Sequence, residues 1–389
     1  MQNVVTASLL FTPTERVQDP VLVMEDGRIV SVASRAEAEI PAGAKVMDFP
    51  GAVLAPGFVD IHVHGGAGHD VMQADDAAMD QFEALLAKHG VTSYCPTTVT
   101  APLDLTLAAL DRLAQRMERA EKRRDGLAQP LGMHLEGPFI SHVKRGVHPP
   151  AELREPSLEL LERMWGAARG RVRLMTVAPE LSAARELIAD AARRGVCVSI
   201  GHSDASFEQA QQGIAAGARH ATHTFNAMRG FDHREPGILG AVLGDADLSA
   251  DIICDGVHVH PSAVKIFLKA KGTARAVLIT DAISATGCGD GRFRLGGFEV
   301  EVKGDRCEHE GRLAGSVLTM DRAVRNVMDF AGWELQRAVR LATLNPARVA
   351  GVADRKGSLA PGKDADVVVL SAHGEVMATV YDGRVVENQ

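Results

Sequence analysis

The 389-residue sequence lacks the features that define several protein classes. No run of apolar residues is long enough to cross a bilayer, and residues 1–5 lack the basic flank and the long apolar stretch of an export signal. Acidic and basic residues are interspersed at a net charge of -8, so no basic surface for nucleic acid or an anionic membrane is predicted. We therefore expect a soluble, cytoplasmic protein without nucleic-acid or membrane partners.

Cysteine is scarce and is not clustered. The five cysteines are an odd number, are widely spread, and include no Cys-x-x-Cys pair. This usage predicts reduced thiols in a cytoplasm. Cys95, Cys197 and Cys254 lie in strand-like runs, where we expect them to act as small core residues.

Short β-type runs alternate with longer helical stretches between residues 59 and 282. This alternation is typical of parallel strands joined by crossover helices. Eight strands are predicted, at residues 59–64, 91–98, 132–136, 172–178, 196–201, 221–225, 250–254 and 276–281. No Gly-x-Gly-x-x-Gly turn follows the first strand, so an α/β fold of the (β/α)8 TIM-barrel type is favoured over an open doubly wound sheet.

Three of the stretches between strands begin at a residue that commonly caps helices. Asp76, Ser157 and Ser182 each precede apolar residues at helical spacing, and each stretch ends near a glycine. We predict that these three residues are helix N-caps.

The two ends of the chain differ from the middle and are similar to each other. Asp26-Gly27 and Asp382-Gly383 each lie between β-branched runs, so each end is predicted to form a hairpin. Neither end has enough partner strands by itself, so we expect one small β domain built from both ends.

These patterns also suggest domain boundaries. Residues 1–56 and 357–389 are assigned to the small β domain, and residues 57–356 to the barrel. Residues 287–311 are rich in glycine and alternate in polarity, which predicts an inserted hairpin that would act as a flap over the barrel mouth.

The first predicted strand ends in two histidines, His62 and His64. A β-strand projects alternate side chains to one face, so the two imidazoles point the same way and can share a cation. The alternative is two ordinary histidines at a strand end.

Further predicted strands end in side chains suited to metal binding. Glu136, His202 and His223 fall at the carboxyl ends of strands, where the active sites of such barrels lie. A carboxylate and two imidazoles form the ligand set of a catalytic zinc-type site, whose open position holds a water of lowered pKa. With these three as the main ligands, His62 and His64 would hold a second cation. The alternative for any one histidine is a buried side chain that satisfies backbone groups.

Two more histidines and one aspartate are further candidates for the same site. His134 shares a strand face with Glu136, whereas His220 lies three residues before His223 and faces away. Asp281, at the end of the eighth predicted strand, is the predicted general base, which accepts a proton from water and later donates it to the leaving group. Its alternative role is a hydrogen bond at the end of the barrel.

Six segments resemble those of the N-acetylglucosamine-6-phosphate deacetylases, a family of the amidohydrolase superfamily. They are residues 55–60 (APGFVD), 134–138 (HLEGP), 201–203 (GHS), 223–228 (HTFNAM), 255–258 (DGVH) and 280–282 (TDA). HLEGP and HTFNAM are specific to this family. The resemblance implies a metal-dependent hydrolysis of N-acetyl-D-glucosamine 6-phosphate to D-glucosamine 6-phosphate and acetate. It also implies a barrel flanked by a β-sandwich from both termini, usually in a homodimer.

The resemblance assigns roles residue by residue. It makes Glu136, His202 and His223 metal ligands and Asp281 the catalytic acid and base. The substrate contacts that it implies are His148 beside the acetamide carbonyl, Asn226 and Ala227 on the substrate, Arg234 and His258 on the sugar phosphate, and Leu313, Ala314, Gly315 and Ser316 along the pocket.

One position separates branches of this family. Some members have Gln and Asn where this chain has His62 and His64, and those members bind one metal. This chain resembles the branch that is able to hold two, so one or two divalent metals per subunit are expected. Zinc is expected first, with iron, cobalt or manganese as alternatives because glutamate and histidine accept all of them.

Other functions fit some of the same residues. A related amidohydrolase would act on the galactosamine epimer or on an N-acyl amino acid, and the anion contacts discriminate poorly among these. A barrel without activity would serve as a binding protein, but Asp281 together with the three main ligands argues for an enzyme.

Overall fold

The computed structural model describes residues 2–12, 15–122, 125–381 and 384–386. The N-terminal strands are β1 (Asn3–Phe11), β2 (Arg16–Gln18), β3 (Pro20–Glu25), β4 (Arg28–Ser34) and β5 (Lys45–Pro56). β3 and β4 form the antiparallel hairpin that Asp26-Gly27 predicted. β1 pairs antiparallel with β3 and parallel with β5, so these strands belong to one sheet.

The middle of the chain forms the parallel strands. The strands there are β6 (Phe58–Val63), β7 (Gly65–Gly66), β8 (His69–Asp70), β9 (Val91–Thr98), β10 (Gln129–Pro130), β11 (Met133–Glu136), β12 (Val172–Val177), β13 (Cys197–Ile200), β14 (His220–Ala221), β15 (Ala250–Ile253) and β16 (Ala276–Ile279). The eight predicted strands correspond to β6, β9 and β11 to β16, and β14 is shorter than predicted. β6, β9, β11, β12, β13 and β14 pair in parallel in that order, as do β15 and β16.

Backbone hydrogen bonds connect these two parallel sheets at both sides. The Thr224 amide donates to the carbonyl of Asp251 at 2.9 Å, just beyond β14. The Asp281 amide donates to the carbonyl of His62 at 2.9 Å, which links the end of β16 to β6. The parallel sheet therefore curls until its first and last strands meet, which is consistent with the predicted barrel.

Helices cover the parallel strands. They are α1 (Asp76–Lys88), α2 (Leu103–Ala120), α3 (Leu158–Ala167), α4 (Ala184–Arg193), α5 (Phe207–Ala216), α6 (Gly237–Gly244), α7 (Pro261–Arg275), α8 (Met320–Ala331), α9 (Leu335–Leu341) and α10 (Leu344–Val349), with a 3-10 turn at Pro150–Glu152. In α2 the buried residues Leu110, Leu113 and Met117 recur at three and four positions, which gives the helix one apolar face. Among the described residues, no helix is long and apolar enough to span a bilayer.

The helix starts test the predicted caps. Ser157 caps α3 as predicted. The prediction for Asp76 is wrong, because Asp75 caps α1 and Asp76 is the first helical residue. The prediction for Ser182 is also wrong, because α4 starts after Ala183, whose φ of 59° places it in the left-handed region without a side-chain cap. Asp75 and Asp76 have the same side chain, so the sequence pattern does not distinguish which of them caps α1.

The predicted insertion at residues 287–311 is larger than one hairpin. β17 (Gly291–Leu295), β18 (Phe298–Lys303) and β19 (Arg306–His309) lie within these bounds and β20 (Arg312–Leu313) lies just beyond them. Together they form a four-stranded antiparallel sheet. We call this sheet the insertion sheet.

The C-terminal strands join the N-terminal ones. They are β21 (Val367–Leu370), β22 (Val376–Tyr381) and β23 (Arg384–Val386). β21 pairs antiparallel with β5, so both chain ends contribute to an eight-stranded sheet ordered β23-β22-β21-β5-β1-β3-β4, with β2 on β1. We call it the terminal sheet. The predicted turn at Asp382-Gly383 lies outside the described residues.

The terminal sheet and the parallel strands share one wall. On β21, Val368 and Leu370 pack in the core of the parallel strands, whereas Val367 and Val369 pack in a separate core of the terminal sheet. Because side chains alternate along a strand, β21 supplies both cores at once.

Candidate active site

The carboxyl ends of the parallel strands surround a cavity of about 220 Å³. The residues that line it are His64, Val99, Glu136, Gly146, Val147, His148, His202, His223, Asn226, Ala227, Ile253, His258, Asp281, Leu295, Leu313 and Gly315. Polar groups from several strand ends therefore converge on one space, as in other barrels of this type.

Glu136 ends β11 and lies between the four histidines predicted as ligands. Its Oε1 is 3.1 Å from Nε2 of His202 and 3.0 Å from Nε2 of His223. The same carboxylate lies 3.4 Å from Nε2 of His62 and 3.3 Å from Nε2 of His64. The glutamate is only 3% exposed. One buried carboxylate thus faces both predicted metal sites.

The imidazole nitrogens also lie close to each other. Nε2 of His202 is 3.0 Å from Nε2 of His223, and Nε2 of His62 is 3.2 Å from Nε2 of His64. A tetrahedral metal with bonds of about 2.0–2.1 Å holds its ligand nitrogens roughly 3.3 Å apart. These spacings therefore suit ligands that share a cation.

Backbone carbonyls orient two of these rings. Nδ1 of His202 is 2.9 Å from the carbonyl of Lys144, and Nδ1 of His64 is 3.1 Å from the carbonyl of Thr97. A carbonyl only accepts, so Nδ1 is the donor in both rings, and in the neutral imidazole Nε2 presents a lone pair toward Glu136. Metal-binding histidines are commonly held in this way. The residues present therefore fit a divalent metal.

The charges of the cluster favour a cation. Burial lowers the pKa of His64, but Asp281 and Glu136 outweigh it and raise that pKa to about 10. Burial opposes charge on His223 as well, yet Glu136 raises its pKa to about 9. At His202, burial outweighs the opposing effect of Glu136 and lowers the pKa to about 4. Carboxylates that hold a proton on these rings also attract a metal ion.

Asp281 lies just beyond β16 and faces the histidines of the first strand. Its Oδ1 is 3.1 Å from Nε2 of His64 and 3.4 Å from Nε2 of His62. Burial raises the pKa of Asp281, but His62 and His64 lower it to about 2, so the side chain is a carboxylate that can accept a proton. Asp281, His202 and His223 all have positive φ, at 51°, 46° and 28°, and such strained residues cluster at functional sites.

His148 reaches the cavity from the loop after β11. Its Nε2 is 3.6 Å from Oε2 of Glu136, and its ring packs edge-to-face on His202 with centroids 4.8 Å apart. The side chain is buried and is held beside the metal-type cluster.

The other predicted substrate contacts divide into three groups. Those that line the cavity are Asn226, Ala227, His258, Leu313 and Gly315. Ala314 and Ser316 are buried next to them without lining it. Arg234 is exposed and lies outside the lining. Within the described part of the chain, no arginine or lysine lines the cavity.

His134 and His220 do not join the cluster. His134 lies between the carbonyl of Ile61 at 3.2 Å and the hydroxyl of Thr176 at 2.8 Å. Nε2 of His220 is 2.8 Å from a carboxylate oxygen of Asp251. Both rings thus have complementary hydrogen-bond partners elsewhere.

Sequence reasoning missed several residues of the site. The apolar lining residues Val99, Val147, Ile253 and Leu295 have no chemical signature, and neither do backbone carbonyls that orient histidines. Val99 and Ile253 lie at the ends of parallel strands, which is a positional signal, whereas Val147 lies in the long loop after β11 and has none.

Comparisons with known proteins agree with this geometry. The sequence profile of the amidohydrolase family matches residues 53–386. The chain is 39% identical over 385 residues to an N-acetylgalactosamine-6-phosphate deacetylase of Escherichia coli O157:H7, covering 99% of each chain. It is 35% identical over 377 residues to an N-acetylglucosamine-6-phosphate deacetylase of Bacillus subtilis (strain 168), covering 97% of this chain and 95% of that one.

A solved structure gives the same result. A mutant N-acetyl-D-glucosamine-6-phosphate deacetylase from Mycobacterium smegmatis, in complex with N-acetyl-D-glucosamine-6-phosphate, matches with a TM-score of 0.91 at 35% identity and covers 99% of each chain. The chain therefore belongs to the amidohydrolase family and, within it, to the group of N-acetylated amino-sugar phosphate deacetylases.

Proposed function

We propose that this protein hydrolyses N-acetyl-D-glucosamine 6-phosphate to D-glucosamine 6-phosphate and acetate in a metal-dependent reaction. The observation that carries the proposal is the buried cluster in which Glu136 faces four histidine nitrogens next to Asp281. The names of the relatives supply the substrate class, a phosphorylated N-acetyl amino sugar.

The distances between Glu136 and the four histidine nitrogens support the proposed metal ligands. Glu136, His202 and His223 would hold the catalytic metal, and His62 with His64 would hold a second one that shares Glu136. When bound, the metal lowers the pKa of a water and polarises the amide carbonyl. Zinc is the proposed metal, and iron, cobalt and manganese suit the same donors.

The side chains around the metal supply the remaining chemistry. Asp281 is a carboxylate at neutral pH, so it accepts the proton of the attacking water and later donates it to the departing amine. His148 contributes a hydrogen bond to the carbonyl oxygen, where negative charge develops. Asn226, Ala227 and His258 would contact the sugar, with Leu313, Ala314 and Gly315 along the pocket.

The architecture that holds this site is part of the proposal. We interpret the curled parallel sheet as a (β/α)8 barrel domain at residues 57–356. The terminal sheet has a core of its own. This supports a small β-sandwich domain, to which we assign residues 1–56 and 357–389. Leu295 lines the cavity, which supports a flap role for residues 287–311, and Leu313 of β20, just beyond that range, lines it as well.

Of the two predicted contacts to the substrate phosphate, His258 lines the cavity, whereas no arginine or lysine of the described residues does. Arg234 is exposed outside the cavity, so we propose that it reaches the phosphate of the neighbouring subunit in a homodimer. Arg234→Ala should then raise KM for the phosphorylated sugar and leave the poor turnover of the unphosphorylated one unchanged. Mixed dimers of Arg234→Ala with Asp281→Asn should regain activity, since one hybrid site holds both intact residues. Equal losses on both sugars would contradict the phosphate contact.

The function itself is tested by acetate release from the metal-loaded protein. N-acetyl-D-glucosamine 6-phosphate should be hydrolysed much faster than the unphosphorylated sugar or an N-acyl amino acid. The galactosamine epimer is the second candidate substrate, because a relative of 39% identity carries that name. Faster turnover of the epimer would replace the proposed substrate, and no acetate from any of these compounds would contradict the function.

A further inference from the structure

His148 has two possible roles in the cluster. Its ligand atom lies with those of Glu136 and His202 in a group within 4.8 Å, close enough for a third metal ligand. The alternative, under the proposed function, is a hydrogen bond donated to the acyl oxygen. The two roles need opposite tautomers, because a ligand must present a lone pair at Nε2 and a donor must carry a proton there.

Thr100 contacts the other nitrogen of this ring. The backbone amide of Thr100 donates to Nδ1 of His148 at 3.3 Å, and the Thr100 hydroxyl lies 2.8 Å from the same atom. An amide N–H can only donate, so a proton on Nδ1 would point at another proton. Nδ1 of His148 is therefore an acceptor, and the neutral ring carries its proton on Nε2.

The surroundings keep the ring in this position. The ring packs edge-to-face on His202, and the loop that carries it is tied by the amide of His148 to the carbonyl of Arg145 at 3.1 Å. A Cβ at Gly137 would lie 2.1 Å from the hydroxyl of Thr100, so the glycine leaves the space in which Thr100 approaches the ring. The contact between Thr100 and His148 is thus built into the loop.

The same rule sorts the neighbouring histidines differently. Nδ1 of His64 and of His202 faces a backbone carbonyl, which leaves a lone pair at Nε2 in each neutral ring. Nδ1 of His148 faces a backbone amide, which leaves a proton at Nε2. Its Nε2 is 3.6 Å from Glu136, too far for a hydrogen bond, so that proton is available to a substrate.

We propose that Thr100 is a positioning residue whose backbone amide holds His148 in the Nε2–H tautomer, which makes His148 a donor to the acyl oxygen and excludes it from the metal's ligands. The catalytic consequence rests on the proposed function, whereas the tautomer does not.

Histidine NMR tests the tautomer directly. In zinc-loaded protein labelled with 15N-histidine, the ring signals lost in His148→Gln belong to His148. They should show an unprotonated Nδ1 and a protonated Nε2, and Thr100→Val, which keeps the amide, should preserve this pattern. A protonated Nδ1, or an Nε2 signal shifted by metal as a direct ligand's would be, would overturn the proposal. A switch of tautomer in Thr100→Val would assign the effect to the hydroxyl and reject the amide.

Paired variants test the consequence. The side-chain amide of His148→Gln can place a donor where Nε2 lies, whereas that of His148→Asn ends near the position of Nδ1. Both should keep the bound metal, and the Asn variant should lose about 10²–10³-fold in kcat, the usual cost of an oxyanion donor, with a smaller loss for Gln. His142→Gln, an exposed histidine of the same loop, is the control. Metal loss in both variants, or equal kcat losses, would contradict the donor role. If wild-type protein releases no acetate while the NMR pattern is as expected, the proposed function fails and the tautomer assignment stands.

Discussion

Two sets of buried histidines lie in or just beyond the parallel strands and differ in what their nitrogens contact. In the facing set, His62, His64, His202 and His223, the Nε2 atoms point at carboxylates and at each other. In the paired set, His134 and His220, the nitrogens have complementary hydrogen-bond partners. Burial does not distinguish the sets, since all six are at most 5% exposed. The partner of each nitrogen therefore separates a ligand from a structural histidine.

This difference has an energetic consequence. Convergent lone pairs and carboxylates repel one another unless a cation or protons lie between them. Complementary pairs, in contrast, stabilise the folded state, and a partner left alone in the interior is costly. Changes in the facing set should thus alter metal binding and turnover, whereas changes in the paired set should alter stability.

The largest expected effect concerns Asp281, a carboxylate that contacts the facing set and is not a main ligand. Asp281→Asn should keep the metal and lower kcat by about 10²–10⁴-fold, because an amide cannot take the proton of the attacking water. Metal analysis and acetate release on the same sample measure both quantities. Full metal content with near-normal activity would reject the role of Asp281.

The next effect compares one histidine from each set. His220→Leu leaves the Asp251 carboxylate without its imidazole, so it should cost about 3–5 kcal/mol in the free energy of unfolding. His202→Leu removes a facing ring, so it should abolish metal binding at the main site but destabilise the metal-free protein less. Urea unfolding of both metal-free variants shows which substitution lowers the free energy of unfolding more. If His202→Leu proves the more destabilising, the division into two sets is wrong.

Much of the fold was predictable because the parallel strands are covered on both faces. Every residue of β6 and β9 is buried, and their β-type residues mark them as strands between helical stretches although both also contain polar residues. The order of the terminal sheet was not predictable in the same way. β5 and β21 pair although about 300 residues separate them, and no local pattern specifies that pairing. The insertion sheet has four strands where one hairpin was predicted, because β19 and β20 are short and alternate only weakly between buried and exposed residues.

The candidate site was predictable only in part, for a related reason. The strand-end positions of Glu136, His202 and His223 follow from strand spacing alone. The tautomer of His202 depends on the carbonyl of Lys144, 58 residues away, and that of His148 depends on an amide 48 residues away. Backbone groups occur at every residue, so they leave no trace in the sequence.

A smaller effect is expected from the first-strand pair. His62→Gln combined with His64→Asn should lower the bound metal per subunit and keep measurable activity at the site of Glu136, His202 and His223. Metal quantification under anaerobic conditions, together with kcat, measures the outcome. Unchanged metal content would show that the first strand holds none. Complete loss of activity would show that the first-strand metal is the catalytic one.

The smallest effect concerns the hydrogen-bond partner of one histidine of the paired set, His134. Nδ1 of His134 donates to the carbonyl of Ile61, so Nε2 accepts from the hydroxyl of Thr176 at 2.8 Å. Thr176→Val keeps the shape of the side chain, leaves that buried acceptor unpaired and also removes the contact with the Thr222 hydroxyl at 2.9 Å, which should cost about 1–3 kcal/mol in the free energy of unfolding.

Thr379→Val is the matched control for this change. Its hydroxyl is also buried and donates to the carbonyl of Ala87 at 2.7 Å, far from the facing set in the terminal sheet. Both variants should lose stability, and both should bind as much metal as the parent protein. Metal loss in Thr176→Val but not in Thr379→Val would mean that His134 supports the ligand rings directly through its contact with His62, whose ring centroid lies 4.6 Å away. His134 would then belong with the facing set and not with the paired set.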